Sequence, residues 1–196
     1  MLINNAGVMH TANLENITEE HFDTSMAVNV KSALRLTQNA VKWLEQSTLK
    51  TVVNVSSIAG LRAYPGTLPY KISKAAMDQM TRCTGIVTIH KKGRFLKFKN
   101  WFYCCFSAVE LAPKGIRVNS VNPGVIDTEF FVNSGMKQSV ANKYVHEKSK
   151  KIHPLQRAGR PEEVAKTILF LASQDSSFIC AQTIAVDGGR SVLCPY

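Results

Sequence analysis

Thr51-Val-Val-Asn-Val-Ser-Ser-Ile-Ala-Gly60, followed by Pro69-Tyr-Lys-Ile-Ser-Lys74, decides how this chain folds. Thr51–Val55 is β-branched except at Asn54, as expected of a parallel strand covered on both faces. Ser56 and Ser57 end that strand, and a helix is predicted to start near Tyr70, just after Pro69. Tyr70 and Lys74 are four residues apart, a little over one helical turn, so phenol and ammonium share a face. A free tyrosine titrates near pH ~10 and is a poor base at neutrality. A cation held beside it favours the phenolate and lowers that pKa. A serine hydroxyl at the strand end would hold a substrate oxygen against the phenol, which is what proton exchange with a carbonyl or alcohol needs. Alone, Y-x-x-x-K is a weak signal, because it arises by chance on many surface helices.

Working outward, strands and helices alternate. Leu2–Asn4 reads as the end of a buried strand. Thr18 caps a helix whose first turn carries Glu19 and Glu20, favourable at the positive end of the helix dipole. Met26, Val30, Leu34, Leu36, Val41 and Leu44 carry that helix to about Glu45. Ile116–Val121 is another buried strand, ended by Pro123-Gly124. Pro161 suits a first helical position, with Glu162 and Glu163 behind it and Val164, Ile168, Leu169 and Leu171 as the core stripe. Thr183–Val186 is the last strand. This alternation predicts an α/β fold with a doubly wound parallel sheet.

Further motifs stand in order along the chain: Asn4-Asn-Ala-Gly7, Asn29 in Val-Asn-Val, Ser56-Ser-Ile-Ala-Gly60, Tyr70-Lys-Ile-Ser-Lys74, Asn119-Ser-Val-Asn-Pro-Gly124-Val-Ile-Asp-Thr128 and Val186-Asp-Gly-Gly189. With these the chain resembles the short-chain dehydrogenase/reductase family, and within it the 3-oxoacyl-[acyl-carrier-protein] reductase-like and glucose dehydrogenase-like members. The resemblance implies a Rossmann-like NAD(P)-binding domain. It also implies hydride transfer between a nicotinamide and a ketone or secondary alcohol, the cofactor carrying the chemistry.

The site residues follow from the resemblance. Tyr70 would be the general acid/base. Lys74 would lower its pKa and bind the nicotinamide ribose. Ser57, rather than Ser56, would orient the substrate oxygen, and Asn29 would distort its helix and complete a proton relay. Read alone, Asn29 is a helix-surface or capping amide. Asn5, Ala6 and Gly7 would run beside the adenosine ribose. Pro123, Gly124 and Val125 would let the backbone approach the nicotinamide, with Ile126 and Thr128 reaching its carboxamide and phosphate side; on its own, Pro123-Gly124 is a turn after a strand. Residues 129–154 would form the substrate loop, with Phe130, Phe131 and Met136 as pocket candidates. Family members are commonly homotetramers.

Two features depart from the family pattern. No G-x-x-x-G-x-G or G-x-G-x-x-G occurs anywhere, and the Asn-Asn-Ala-Gly motif that follows the family's fourth strand stands at residues 4–7. The resemblance therefore implies a single partial domain over 1–196 that lacks the first three strands, the phosphate cradle and the residue that selects NAD or NADP. Its fourth strand would become a sheet edge, open to pairing with another chain. The second feature is Gly85–Ser107. Joining Thr84 to Ala108 restores the family pattern and puts Leu111 on the stripe of Met77, Met80 and Thr84. The block holds Lys91, Lys92, Arg94, Lys97 and Lys99 with no acid, and four of the nine phenylalanines. Two readings are open: translated intron sequence, since its ends are encodable by splice-site-like codons, or an inserted basic aromatic hairpin turning at Lys92-Gly93.

Composition sets the remaining expectations. The 196 residues, 45% hydrophobic, suit one domain with a real core. No run approaches the ~18 apolar residues of a membrane span, and no leader pattern is visible. Cys83, Cys104, Cys105, Cys180 and Cys194 have no C-x-x-C spacing, which fits reduced thiols in a cytoplasmic protein. His10, His21, His90, His146 and His153 show no metal-ligand spacing, so no metal is expected. Half of the formal charge of +10 belongs to Gly85–Ser107. The expected partner is a small carbonyl or alcohol substrate, with neither nucleic acid nor membrane. Against this stand two alternatives: a catalytically inactive remnant unable to bind dinucleotide, and a membrane or nucleic-acid binder using the basic block.

Overall fold

The computed structural model of the chain describes residues 1–85 and 111–193. In chain order the main elements are β1 (Leu2–Asn4), α1 (Glu19–Met26), α2 (Ser32–Leu44), β2 (Thr51–Val55), α3 (Leu68–Gly85), β3 (Arg117–Pro123), α4 (Phe130–Asn133), α5 (Gln138–Lys143), α6 (Ser149–Ile152), α7 (Pro161–Ala172) and β4 (Thr183–Val186). The four strands form one parallel sheet in the order β1-β2-β3-β4. The fold is α/β, as the alternation predicts. β1 and β4 are the edges of the described sheet.

Helices cover both faces. On one, Val52 and Val118 meet Leu44 from α2, together with Leu111 and Ile116. On the other, Val53 and Val121 meet Val164, Leu171 and Ala172 from α7. Val52 and Val53 are both fully buried, so β2 is sandwiched between the layers and needs apolar side chains on both pleats. Each such valine contributes roughly 1.5–3 kcal/mol of burial relative to exposure.

Thr18 caps α1 through the His21 amide, as its position before Glu19 and Glu20 suggests. The long helix expected to Glu45 is not continuous. A π-helical turn, Ala27–Lys31, separates α1 from α2, and Asn29 sits inside it. Widened turns of this kind are frequent at functional sites.

α3 begins at Leu68, so Pro69 lies in its first turn rather than before it. Its buried face is Tyr70, Ser73, Lys74, Met77, Asp78, Thr81 and Gly85. Met80 and Thr84 are half-buried, so the expected stripe is correct at Met77 and otherwise offset by one residue. Leu111 packs under β2 and β3 rather than on that stripe. The last described residue of the helix is Gly85, where a Cβ would come within 2.8 Å of the Ala181 backbone. Ala181 itself holds φ +60, the left-handed region that disfavours a side chain. Apart from Gly85, the basic block up to Ser107 lies outside the described residues.

Among the described residues, no helix is long and apolar enough to cross a membrane. No group of three or more metal-ligating side chains occurs among them either.

Candidate active site

Parallel strands bring their carboxyl ends to one edge of a sheet, where open α/β folds bind ligands. Here that edge collects Asn5-Ala-Gly7 after β1, Ser56-Ser57 after β2 and Gly124-Val-Ile126 after β3. α3 lays its first two turns against them.

Ser57 starts the short 3-10 turn Ile58–Gly60, its Oγ accepting from the Ala59 amide at 3.1 Å. Gly60 lies so close to α3 that a Cβ there would stand 2.6 Å from Asp78 Oδ2 and 2.8 Å from the Lys74 carbonyl carbon. That close approach requires glycine and brings the serine turn onto the Tyr70 helix. Ser57 lies beside the Tyr70 phenol, where its hydroxyl favours the phenolate. Ser56 turns inward and donates to the Lys74 carbonyl at 3.1 Å. Of the two serines, Ser57 is the one on the Tyr70 side.

Lys74 is 3% exposed, and its Nζ donates to the Val55 carbonyl at 2.9 Å. Burial pulls its pKa down to about 8, against the opposing pull of the Asp78 carboxylate. Nζ lies 5.6 Å from the centre of the Tyr70 ring. A Cβ on Gly7 would sit 3.5 Å from both Lys74 Nζ and Asn29 Oδ1, so the loop after β1 meets both side chains.

Tyr70 departs from the electrostatic expectation. Its phenol pKa is raised above the ordinary value, burial being the main cause, with the Ser57 hydroxyl opposing and Tyr64 adding to it. The Lys74 ammonium does not offset this rise. The reason is geometric: the ammonium is turned to the Val55 carbonyl, while Met9, Ala59, Phe130 and Phe131 close over the ring.

Asn29 is fully buried. Its Nδ2 donates to the Val8 carbonyl and to Ser73 Oγ, both at 2.9 Å, and its Oδ1 accepts from the Val8 amide at 2.8 Å. The side chain therefore clasps the loop after β1 to α3. It touches neither Tyr70 nor Lys74 directly through a hydrogen bond.

The loop after β3 is pinned from behind. The Gly124 amide donates to the Val186 carbonyl at 3.1 Å, and the Val125 amide to His153 Nε2 at 3.2 Å. His153 Nδ1 faces the Ser149 carbonyl at 3.0 Å, which assigns the proton to Nδ1 and leaves Nε2 as acceptor. Burial lowers this histidine's pKa and keeps it neutral. Gly124 has no room for a side chain: a Cβ would stand 2.9 Å from His153 Nε2. Ile126 bridges to Gly159, and Thr128 is exposed at the start of the covering segment. Asn5 and Ala6 are exposed at the open edge of the site.

Sequence reading missed the buried Asp78. Its carboxylate accepts from Asn122 Nδ2 at 3.0 and 2.9 Å, and Asn122 also donates to the Ser57 carbonyl at 3.0 Å. Burial raises the Asp78 pKa, while the hydrogen bonds from Asn122 oppose that rise. Asp78 thus ties α3, β3 and the Ser57 turn together. Its place four residues after Lys74 on one helix face was the available signal. His153, far along the chain from Val125, left none.

A separate cavity of about 300 Å³ is lined by Val125, Ile126, His153, Arg157, Asp187 and neighbouring residues. It contains none of Asn29, Ser57, Tyr70 or Lys74. The chemistry is therefore located by the converging side chains rather than by this cavity.

Comparison with known proteins agrees with the geometry. A family model described as short chain dehydrogenase matches residues 1–89, and one described as enoyl-(acyl carrier protein) reductase matches residues 105–191. The chain is 37% identical to the 3-oxoacyl-[acyl-carrier-protein] reductase FabG of Thermotoga maritima, over 96% of this chain and 65% of that protein. It is 34% identical to the 4-formylbenzenesulfonate dehydrogenase TsaC1/TsaC2 of Comamonas testosteroni, over 98% of this chain and 67% of that one. A Caenorhabditis elegans short-chain dehydrogenase/reductase solved with cofactor superposes with a TM-score of 0.81 at 33% identity, over 98% of this chain and 65% of that one. ElxO with NADP bound gives 0.75 at 28% identity, over 98% and 67%.

Proposed function

The chain belongs to the short-chain dehydrogenase/reductase family, and on that premise we propose that it is an NAD(P)-dependent oxidoreductase interconverting a ketone and a secondary alcohol. The observation that carries this reading is the meeting of Ser57, Tyr70 and Lys74 at the carboxyl edge of three parallel strands. The nicotinamide, when bound, supplies or takes the hydride.

The rest falls to the chain's own groups. Ser57 orients the substrate oxygen. Tyr70 gives or takes the proton at that oxygen, a step worth about 10²–10⁴ in rate. Lys74 has one proton on the Val55 carbonyl, and its remaining N–H groups are available to ribose hydroxyls. Asn29 acts as a positioning residue: its amide fixes Gly7 and Val8 against α3, and the π turn around it supports a relay. Asn5, Ala6, Gly7, Pro123, Gly124, Val125, Ile126 and Thr128 suit the cofactor, because they offer backbone at the strand ends with little side chain in the way.

The catalytically inactive remnant remains the second reading. The 196 residues contain no Gly-rich phosphate turn. We read residues 85–107 as an insertion, a reading supported by the gap between the two matched spans. Assembly into a homotetramer is supported by the exposed Leu36 and Trp43 on α2 and Leu169 and Phe170 on α7. Titration of the chain with NADH and NADPH, followed by nicotinamide fluorescence, tests the function. Saturable binding is expected; no binding at millimolar cofactor would give the remnant reading the chain as it stands.

A further inference from the structure

The covering segment over Tyr70 carries a pattern that the chemistry above does not use. Phe130 stands 5.9 Å from the Tyr70 ring, Phe131 5.9 Å from Phe130, and Tyr144 5.0 Å from Phe131. Tyr64 stands at the rim, 36% exposed. It adds to the upward shift of the Tyr70 phenol, which makes the two side chains neighbours. The approach to the catalytic phenol is therefore walled with aromatic faces.

Three cations stand on that wall. Lys71 Nζ lies 3.7 Å from the centre of the Tyr64 ring, and Arg190 Cζ lies 5.6 Å from it. Lys148 Nζ lies 5.3 Å from the Tyr144 ring. Aromatic faces attract cations, which fixes these three at the mouth of the site. None of them has a carboxylate partner among the described residues. Asp187, the nearest acid in sequence to Arg190, is taken up by the amides of Gly189 and Ser191. Glu129 and Glu147, which flank the covering segment, are exposed and pair with none of the three. Lys71 is partly desolvated, enough to lower its pKa. Half-buried cations without a counter-ion favour an incoming anion, and an aromatic lining favours a flat apolar body.

We infer that the substrate of this site is a ketone joined through a flat apolar body to a carboxylate-type anion, the body lying against Phe130 and Phe131 and the anion meeting Lys71 and Arg190. The inference rests on the oxidoreductase reading and names the class of compound that reading left open. Lys148 adds to the same field from the exposed side. The preference is electrostatic in part, so it weakens with added salt.

The test pairs an acid with its neutral ester. 4-Methylbenzoate and methyl 4-methylbenzoate, neither of which contains a ketone, are titrated into the 196-residue chain by calorimetry. 4-Acetylbenzoate and its methyl ester are then offered as substrates with NADPH. The acids are expected to win by about tenfold in both affinity and kcat/KM, in keeping with charge-assisted hydrogen bonds. Arg190→Gln and Lys71→Gln should each narrow the acid-to-ester ratio. Acid-selective binding with turnover of neither ketone would uphold the anionic aromatic ligand and fail the oxidoreductase reading. Turnover that favours the ester would uphold that reading and overturn this inference. Equal binding of acid and ester, in wild type and variants alike, would also overturn it.

Discussion

Two regions face each other across the site, and they are held in different ways. On α3, Ser73, Lys74, Asp78 and Thr81 are buried polar groups, and each is bonded: to the Tyr70 carbonyl, the Val55 carbonyl, Asn122 and the Met77 carbonyl. Opposite, α4 and the π turn Tyr144–Lys148 meet the site through aromatic rings. Hydrogen bonds in a low-dielectric interior demand particular distances, and an unmade one costs the full desolvation of its group. Ring contacts are non-directional by comparison and tolerate repacking. The polar side therefore fixes where the proton moves, and the apolar side leaves room for the identity of the substrate.

Breaking the polar side should have the larger consequences. Lys74→Met is expected to lower turnover by about 100-fold, measured as NADPH oxidation with a ketone. The same variant alters stability with the opposite sign. In the native state Lys74 loses its proton near pH 8, whereas in the unfolded chain it holds it to about 10.4. Between those values the unfolded state binds more protons, so wild-type stability rises with pH across that window. Urea unfolding from pH 7.5 to 9.5 should show that rise, and Lys74→Met should flatten it.

Asp78→Ala leaves one N–H of the Asn122 amide without its acceptor, the other staying on the Ser57 carbonyl, and should cost about 2 kcal/mol in urea unfolding at pH 7. The apolar side should yield less. Phe130 is half-buried, and Phe130→Ala should cost about 1 kcal/mol, well below the toll of a fully buried ring. Its sharper readout is Tyr70: with burial relieved, the phenol should titrate at lower pH by ultraviolet difference spectroscopy.

The polar side was also the more legible one in sequence. The β-branched run at Thr51–Val55 announced a doubly covered strand, and the spacing of Tyr70 and Lys74 placed both on one face of one helix, the face the structure buries. Those are local relations, carried by strand and helix periodicity. Asp78 with Asn122 and His153 with Val125 are pairings across long stretches of chain, created only by tertiary docking. The distortion at Asn29 was legible only through the family resemblance, and its clasp of Val8 is encoded by no local propensity. The direction of the Tyr70 shift was misjudged because burial under Phe130 outweighs a cation that is itself turned toward the Val55 carbonyl. The aromatic wall and its cations come from four separate segments, and no spacing joins them.

The central claim is that Tyr70 exchanges a proton with the substrate oxygen while hydride passes from a nicotinamide to the substrate carbon. It is tested most directly by incubating the chain and its Tyr70→Phe variant with 4-deuterated NADPH and a ketone, and reading deuterium at the carbinol carbon by mass spectrometry. The account predicts labelled alcohol from the wild type and a rate about 100-fold lower or less from the variant, with its melting curve intact. Equal labelling rates in the two proteins would contradict it.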